Sequence, residues 1–102
     1  MIVYRVASRE QLLSLLSDSP LVPILHMQLG GRHCYFVRGE HDVLYMYASD
    51  EQVEFKFGKV SSTVQEPIVL DIVEVYEAHS WFDLKELLKV VFKDEGRTDS
   101  TN

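Results

Sequence analysis

Alternating apolar positions occupy most of this chain, and a helical spacing interrupts them near each end. Residues 2–6 are β-branched and aromatic and predict a strand. Ser8 then precedes a run in which Leu12, Leu13, Leu15 and Leu16 share one helical stripe. Gln11 stands three residues after Ser8, the spacing of a capping box. The Ser-Asp-Ser-Pro run at 17–20 stops the helix, since Pro cannot continue it. Residues 23–29 predict a second strand, and Gly30-Gly31 a two-residue hairpin turn, because both positions can take positive φ. Strands follow over 33–38, 43–48 and 53–57, separated by polar four-residue turns at 39–42 and 49–52, and 58–67 is a longer polar connection. Residues 68–76 are apolar on both faces apart from Asp71 and Glu74, the pattern of a central strand. Ser80 caps a last helix, with Asp83 in its first turn and Trp81, Leu84, Leu87, Leu88 and Val91 as its buried stripe.

This order predicts an α+β fold. One curved antiparallel sheet of about six strands, in the order β-α-β-β-β-β-β-α, carries both helices on one face. The arrangement is similar to helix-grip and TATA-binding-protein-like architectures, a likeness of fold that does not fix function. Residues 1–93 form a single domain, and 94–102, polar and containing Gly96, form a flexible tail.

Turn lengths predict which residues share a face, because a one-residue slip turns every side chain over. The Gly-Gly turn pairs Gln28 with His33 and His26 with Tyr35. Four-residue turns pair Phe36 with Tyr45 and Met46 with Phe55. One face then carries Tyr35, Val37, Leu44, Met46, Ala48, Val53, Phe55 and Phe57, and lies under the helices. The other carries Met27, Phe36, Arg38, Tyr45, Tyr47 and Lys56, with Cys34 and Glu54 among them. Aromatic rings mixed with Arg are what interface cores favour, so these six residues are the expected partner-binding surface. In the second strand Leu25, Met27 and Leu29 fall on that face too, which cover on that side, a bulge, or a dimer contact along this edge would explain.

Composition narrows the classes of function. With 102 residues the chain holds one core, and its net charge of −6 disfavours duplex DNA and anionic membranes. No apolar run is long enough to span a bilayer, and the strand beginning at Met1 leaves no room for a signal peptide. Cys34 is the one cysteine, which points to a reducing, cytoplasmic setting. Asn occurs only at Asn102, a scarcity that fits a thermophilic source.

Few residues invite chemistry. His26 and His33 share a face and sit diagonally across the hairpin, but no third metal ligand joins them, so they read as surface histidines. His33-Cys34 is no nucleophile and base, since neighbours in a strand point to opposite faces. Glu54-Phe55-Lys56, preceded by Asp42 or Asp50, resembles the acid…Glu-x-Lys pattern of a nuclease superfamily that binds Mg²⁺. The helix that superfamily has after its strand is missing, because 58–67 carries Gly, a Ser-Ser-Thr run and Pro. Asp71 in an apolar strand needs a partner, and Arg5 is its expected ion pair. Arg32, Arg38 and Lys56 among Phe36, Tyr45 and Tyr47 form a small stacking platform of the kind single-strand binders use, but the acidic turns oppose nucleic acid.

The expectation is therefore a non-enzymatic protein-interaction or regulatory module without metal or cofactor. It self-associates as a homodimer and binds a protein or peptide through its open sheet face or an edge strand. The alternatives are a small-ligand carrier with its ligand between sheet and C-terminal helix, and a weak binder of single-stranded nucleic acid.

Overall fold

In the computed structural model, which describes residues 1–15, 24–55 and 70–95, seven elements follow one another. They are β1 (Ile2–Val6), α1 (Arg9–Ser14), β2 (Leu25–Leu29), β3 (Arg32–Arg38), β4 (Val43–Ser49), β5 (Ile72–Glu77) and α2 (Trp81–Glu95). The class is α+β, one sheet with two helices, as the hydropathy pattern predicts. The five strands lie in the order β2-β3-β4-β1-β5. Three contacts are antiparallel, but β1 runs parallel to β4, so the sheet is mixed. β1 takes the inner place because it is apolar on both sides, with Val3 buried on one face and Val6 on the other.

Both caps form from the residues that predict them. Ser8 Oγ accepts from the Gln11 N–H at 3.4 Å, and Ser80 Oγ from the Asp83 N–H at 3.2 Å. The Gln11 side chain does not complete a capping box. Its Oε1 accepts instead from the Asp71 N–H at 2.8 Å, which ties α1 to the start of β5.

The two helices lie on opposite faces of the sheet, not on one. Leu84, Leu88 and Phe92 of α2 pack with Val3, Leu29, Cys34, Phe36, Leu44 and Met46. Leu12 of α1 packs with Val6, Tyr35 and Val37. Cys34 and Phe36 alternate along β3 with Tyr35 and Val37, so the two clusters are on different sides. All four of these residues are buried, which leaves no open face over β3.

The face assignment fails at one turn. The Val43 N–H donates to the Glu40 carbonyl, and His41 and Asp42 both have positive φ, 55° and 61°, so the hairpin closes on a two-residue turn of the primed kind. The Gly39 N–H donates to the Val43 carbonyl as well, at 2.7 Å. Gly39 and Glu40 together oppose Val43, which is a β-bulge, and beyond it Arg38 pairs with Leu44 and Phe36 with Met46. That extra residue turns β4 over relative to a four-residue turn. A Cβ at Gly39 would come 2.7 Å from the Tyr45 ring and 3.2 Å from the Val43 carbonyl oxygen, so a larger residue there would push the ring aside.

Two predicted strands also change. Residues 52–55 are irregular, and Val53 and Phe55 lie against the α1-side cluster, where the Val53 N–H donates to the Tyr35 hydroxyl at 2.9 Å. The remainder of that predicted strand, the connection after it and residues 68–69 lie outside the described residues, as do Leu16 and residues 96–102. β5 is, among the described residues, an edge strand rather than a central one. Among the described residues no helix is long and apolar enough to cross a membrane.

Candidate functional site

The six residues expected to form one partner surface are divided by the sheet. Met27, Phe36 and Arg38 fall on the α2 side, and Tyr45 and Tyr47 on the α1 side; Lys56 lies outside the described residues. Phe36 is core, 2% exposed, with its ring edge-on to Trp81 at 5.2 Å. Met27 packs half-buried against the same cluster. Arg38 is exposed at the rim of an open cleft of about 270 Å³, walled by Leu25, Phe36, Leu44 and Trp81. Tyr45 and Tyr47 pack half-buried with Val37 and Tyr35, and Tyr45 stacks on Tyr4 at 5.8 Å.

The ionic centre of the α2 side is one the hydropathy pattern conceals. Glu95 closes α2 and receives the Arg5 guanidinium, at 3.0 Å from Nη1 to Oε2, and Arg32 Nη1 lies 3.4 Å from its other oxygen. Both guanidinium groups lie over the Phe92 ring, at 5.1 and 5.5 Å. Burial works against the Arg5 charge, but the Glu95 carboxylate and the Tyr76 hydroxyl outweigh it and hold Arg5 above its usual range. Asp71, the expected partner of Arg5, is exposed at the start of β5. This cluster pins the end of α2 to β1 and β3; each charge in it is used internally.

Catalytic arrangements fare no better. Cys34 is fully buried, and that burial pushes its thiol up to about 11, which disfavours the thiolate that a nucleophile needs. Asp42 and Asp50 flank opposite ends of β4 and are engaged elsewhere, with the Met1 amine and Arg32 respectively. Glu54 is exposed and irregular, so the nuclease-like pattern is not assembled among the described residues. Nor do three His, Cys, Asp or Glu side chains converge on one point among them.

What remains, among the described residues, are the two edges of the sheet. Met1 and Ala78 exchange both backbone bonds, at 2.7 and 3.1 Å. By the alternation of an antiparallel ladder, Val3 bonds Tyr76 and Arg5 bonds Glu74, so the N–H and C=O of Val75 and Glu77 point away from β1. No described strand pairs with that outer side. Val73 and Val75 are each 50% exposed, and Asp71, Glu74 and Glu77 are exposed beside them. At the opposite edge, β2 reads Leu-His-Met-Gln-Leu, without a charge. The signal that could have found β5 is its pair of glutamates, since a charge on each face marks an edge rather than the middle of a sheet.

No family model, no curated protein and no solved structure matches this chain.

Proposed function

We propose that this chain is a non-enzymatic protein-interaction module that captures an extended segment of another protein along β5. One observation carries the reading: an edge strand whose outward backbone groups are free among the described residues, and whose side chains are half-exposed valines between carboxylates. Strand addition takes its affinity from backbone hydrogen bonds and its selectivity from side chains on the two faces. The carboxylates at 71, 74 and 77 and the net charge of −6 select a segment in which Lys or Arg alternates with β-branched residues.

The test is an amide-resolved NMR titration with a synthetic Lys-Val repeat peptide. Shifts confined to residues of β5 and β1 are the expected result. Val75→Pro should abolish them while leaving the fold intact, because the Val75 N–H points away from β1 and no ladder bond is lost. No shift at millimolar peptide, or shifts centred on another element, overturns the reading.

Self-association is a second reading, favoured by β2. An edge with no charge lacks the usual guard against pairing with its own copy, and two antiparallel β2 strands would bring no like charges together. The same pairing at β5 would oppose glutamate to glutamate. Sedimentation equilibrium checks this: a dimer that Gln28→Lys disperses supports it, and a monomer at millimolar chain refutes it. The small-ligand alternative loses ground, because Leu84, Leu88 and Phe92 fill the space between sheet and α2.

A further inference from the structure

We infer that His26 and His33 form a chelating site for a divalent transition-metal ion of tetragonal preference, Cu²⁺ above all. The two residues sit diagonally on neighbouring strands, on the α1 side of the sheet. His26 Nε2 and His33 Nδ1 meet at 2.9 Å. With metal–nitrogen bonds of about 2.0 Å, that separation subtends an angle of about 90° at a shared ion. A right angle is the cis angle of square-planar and octahedral coordination. A tetrahedral ion would need the nitrogens about 3.3 Å apart at the same bond length. The bite therefore favours Cu²⁺ and Ni²⁺ over Zn²⁺, and the intrinsic order of affinity places Cu²⁺ first.

The first ring is backed by an aromatic partner on which it can turn in its own plane. His26 stacks on Tyr35 with centroids 4.6 Å apart and planes 11° from parallel. Tyr35 is itself fixed, 3% exposed, with its hydroxyl accepting from the Val53 N–H and its ring against Phe55. The imidazole planes are inclined by 27° with centroids 5.1 Å apart, so the facing nitrogens already point toward one another across solvent-accessible space. Binding needs each ring to turn by roughly 45°, from facing the other nitrogen to facing a shared ion at a right angle, while the nitrogens stay close to their present separation. The proton of the ring–ring hydrogen bond moves to the other nitrogen of the ring that held it, which frees both facing lone pairs for the ion. Water fills the remaining positions, which two protein ligands on an exposed strand leave open. Cross-linking β2 to β3 gives the bound ion a structural consequence, since it staples the edge strand of the sheet.

The test is calorimetric titration of CuCl₂, NiCl₂ and ZnCl₂ into the full chain in a non-coordinating buffer, with electron paramagnetic resonance of the copper form. One equivalent of Cu²⁺, two equatorial nitrogens in the spectrum, and affinity falling from copper to nickel to zinc are expected. His26→Gln and His33→Gln, which keep polarity without an imidazole, should each weaken copper by more than the roughly tenfold that loss of even an outer partner brings. A His41→Gln/His79→Gln chain should bind as the parent does. Copper affinity unchanged in the His26 and His33 variants, zinc bound more tightly than copper, or no binding at all overturns the assignment.

Discussion

Replacing Gly30 with alanine measures how closely the β2–β3 turn is seated on α2. Gly30 and Gly31 both have positive φ, 58° and 86°, so an alanine at either position carries the penalty of the left-handed region, about 1 kcal/mol. The surroundings then separate the two. At Gly31 nothing lies within 4 Å of an added Cβ. At Gly30 that Cβ would come 2.8 Å from the Lys89 carbonyl oxygen and 3.0 Å from the Phe92 Cβ. The first contact is helix backbone, which cannot swing aside, so the hairpin must retreat from α2 and loosen the packing of Phe92. Overpacking of this kind costs about 1–3 kcal/mol, which adds to the backbone penalty at Gly30 alone. Urea unfolding followed by circular dichroism reads the difference. For slopes of roughly 1–3 kcal/mol per molar in urea, Gly30→Ala should unfold about 1 M earlier than Gly31→Ala. Equal midpoints, or the larger loss at Gly31, would show that the turn does not rest on the helix and would refute the packing described for α2.

Further outcomes follow from the buried thiol and from the Glu95 ion cluster. Cys34, pushed up to about 11 by burial from an ordinary value of 9.0, should resist iodoacetamide at pH 8 in the native chain and react once urea unfolds it. Because the folded state keeps a proton that the unfolded state loses, the stability is complete below about pH 9 and falls as pH rises toward about 11; Tyr76, also raised by burial, acts in the same direction. A native thiol that alkylates as fast as the unfolded one, or a flat stability profile over that interval, contradicts this. Glu95→Ala should cost about 1–2 kcal/mol, the value of charge-assisted hydrogen bonds reduced because Glu95 is 36% exposed. Adding Arg5→Met should recover part of the loss by removing the stranded cation, and a double variant less stable than Glu95→Ala alone refutes the pairing.

Local chemistry was legible along the chain. Ser8 and Ser80 cap helices wherever the rest of the fold places them, because the cap and the N–H it satisfies are three residues apart. Gly30-Gly31 closes its hairpin with the register read from the sequence, pairing His26 with Tyr35 and Gln28 with His33, because a two-residue turn leaves one choice of pairing. The α+β class follows from the same local periods. The polar stretch from Asp94 onward reads as tail, yet Glu95 within it is the counterion of Arg5, a pairing across most of the chain that no local pattern announces.

Tertiary structure decided the rest. One bulged residue at Gly39 turned β4 over, and with it the membership of each face, so Phe36 became core and Tyr45 and Tyr47 parted from it. A bulge adds a residue without altering hydrophobic alternation, so the sequence pattern is the same with or without it. The parallel seat of β1 against β4 was hidden for a related reason, since strand order is set by long-range pairing and not by any window of residues. That seat moved β5 to the rim and left Val73 and Val75 at the surface. Composition alone determined that this chain has apolar surface enough for a small fold; that this surface divides into two clusters, one on each side of the sheet, was settled by how distant strands chose their neighbours.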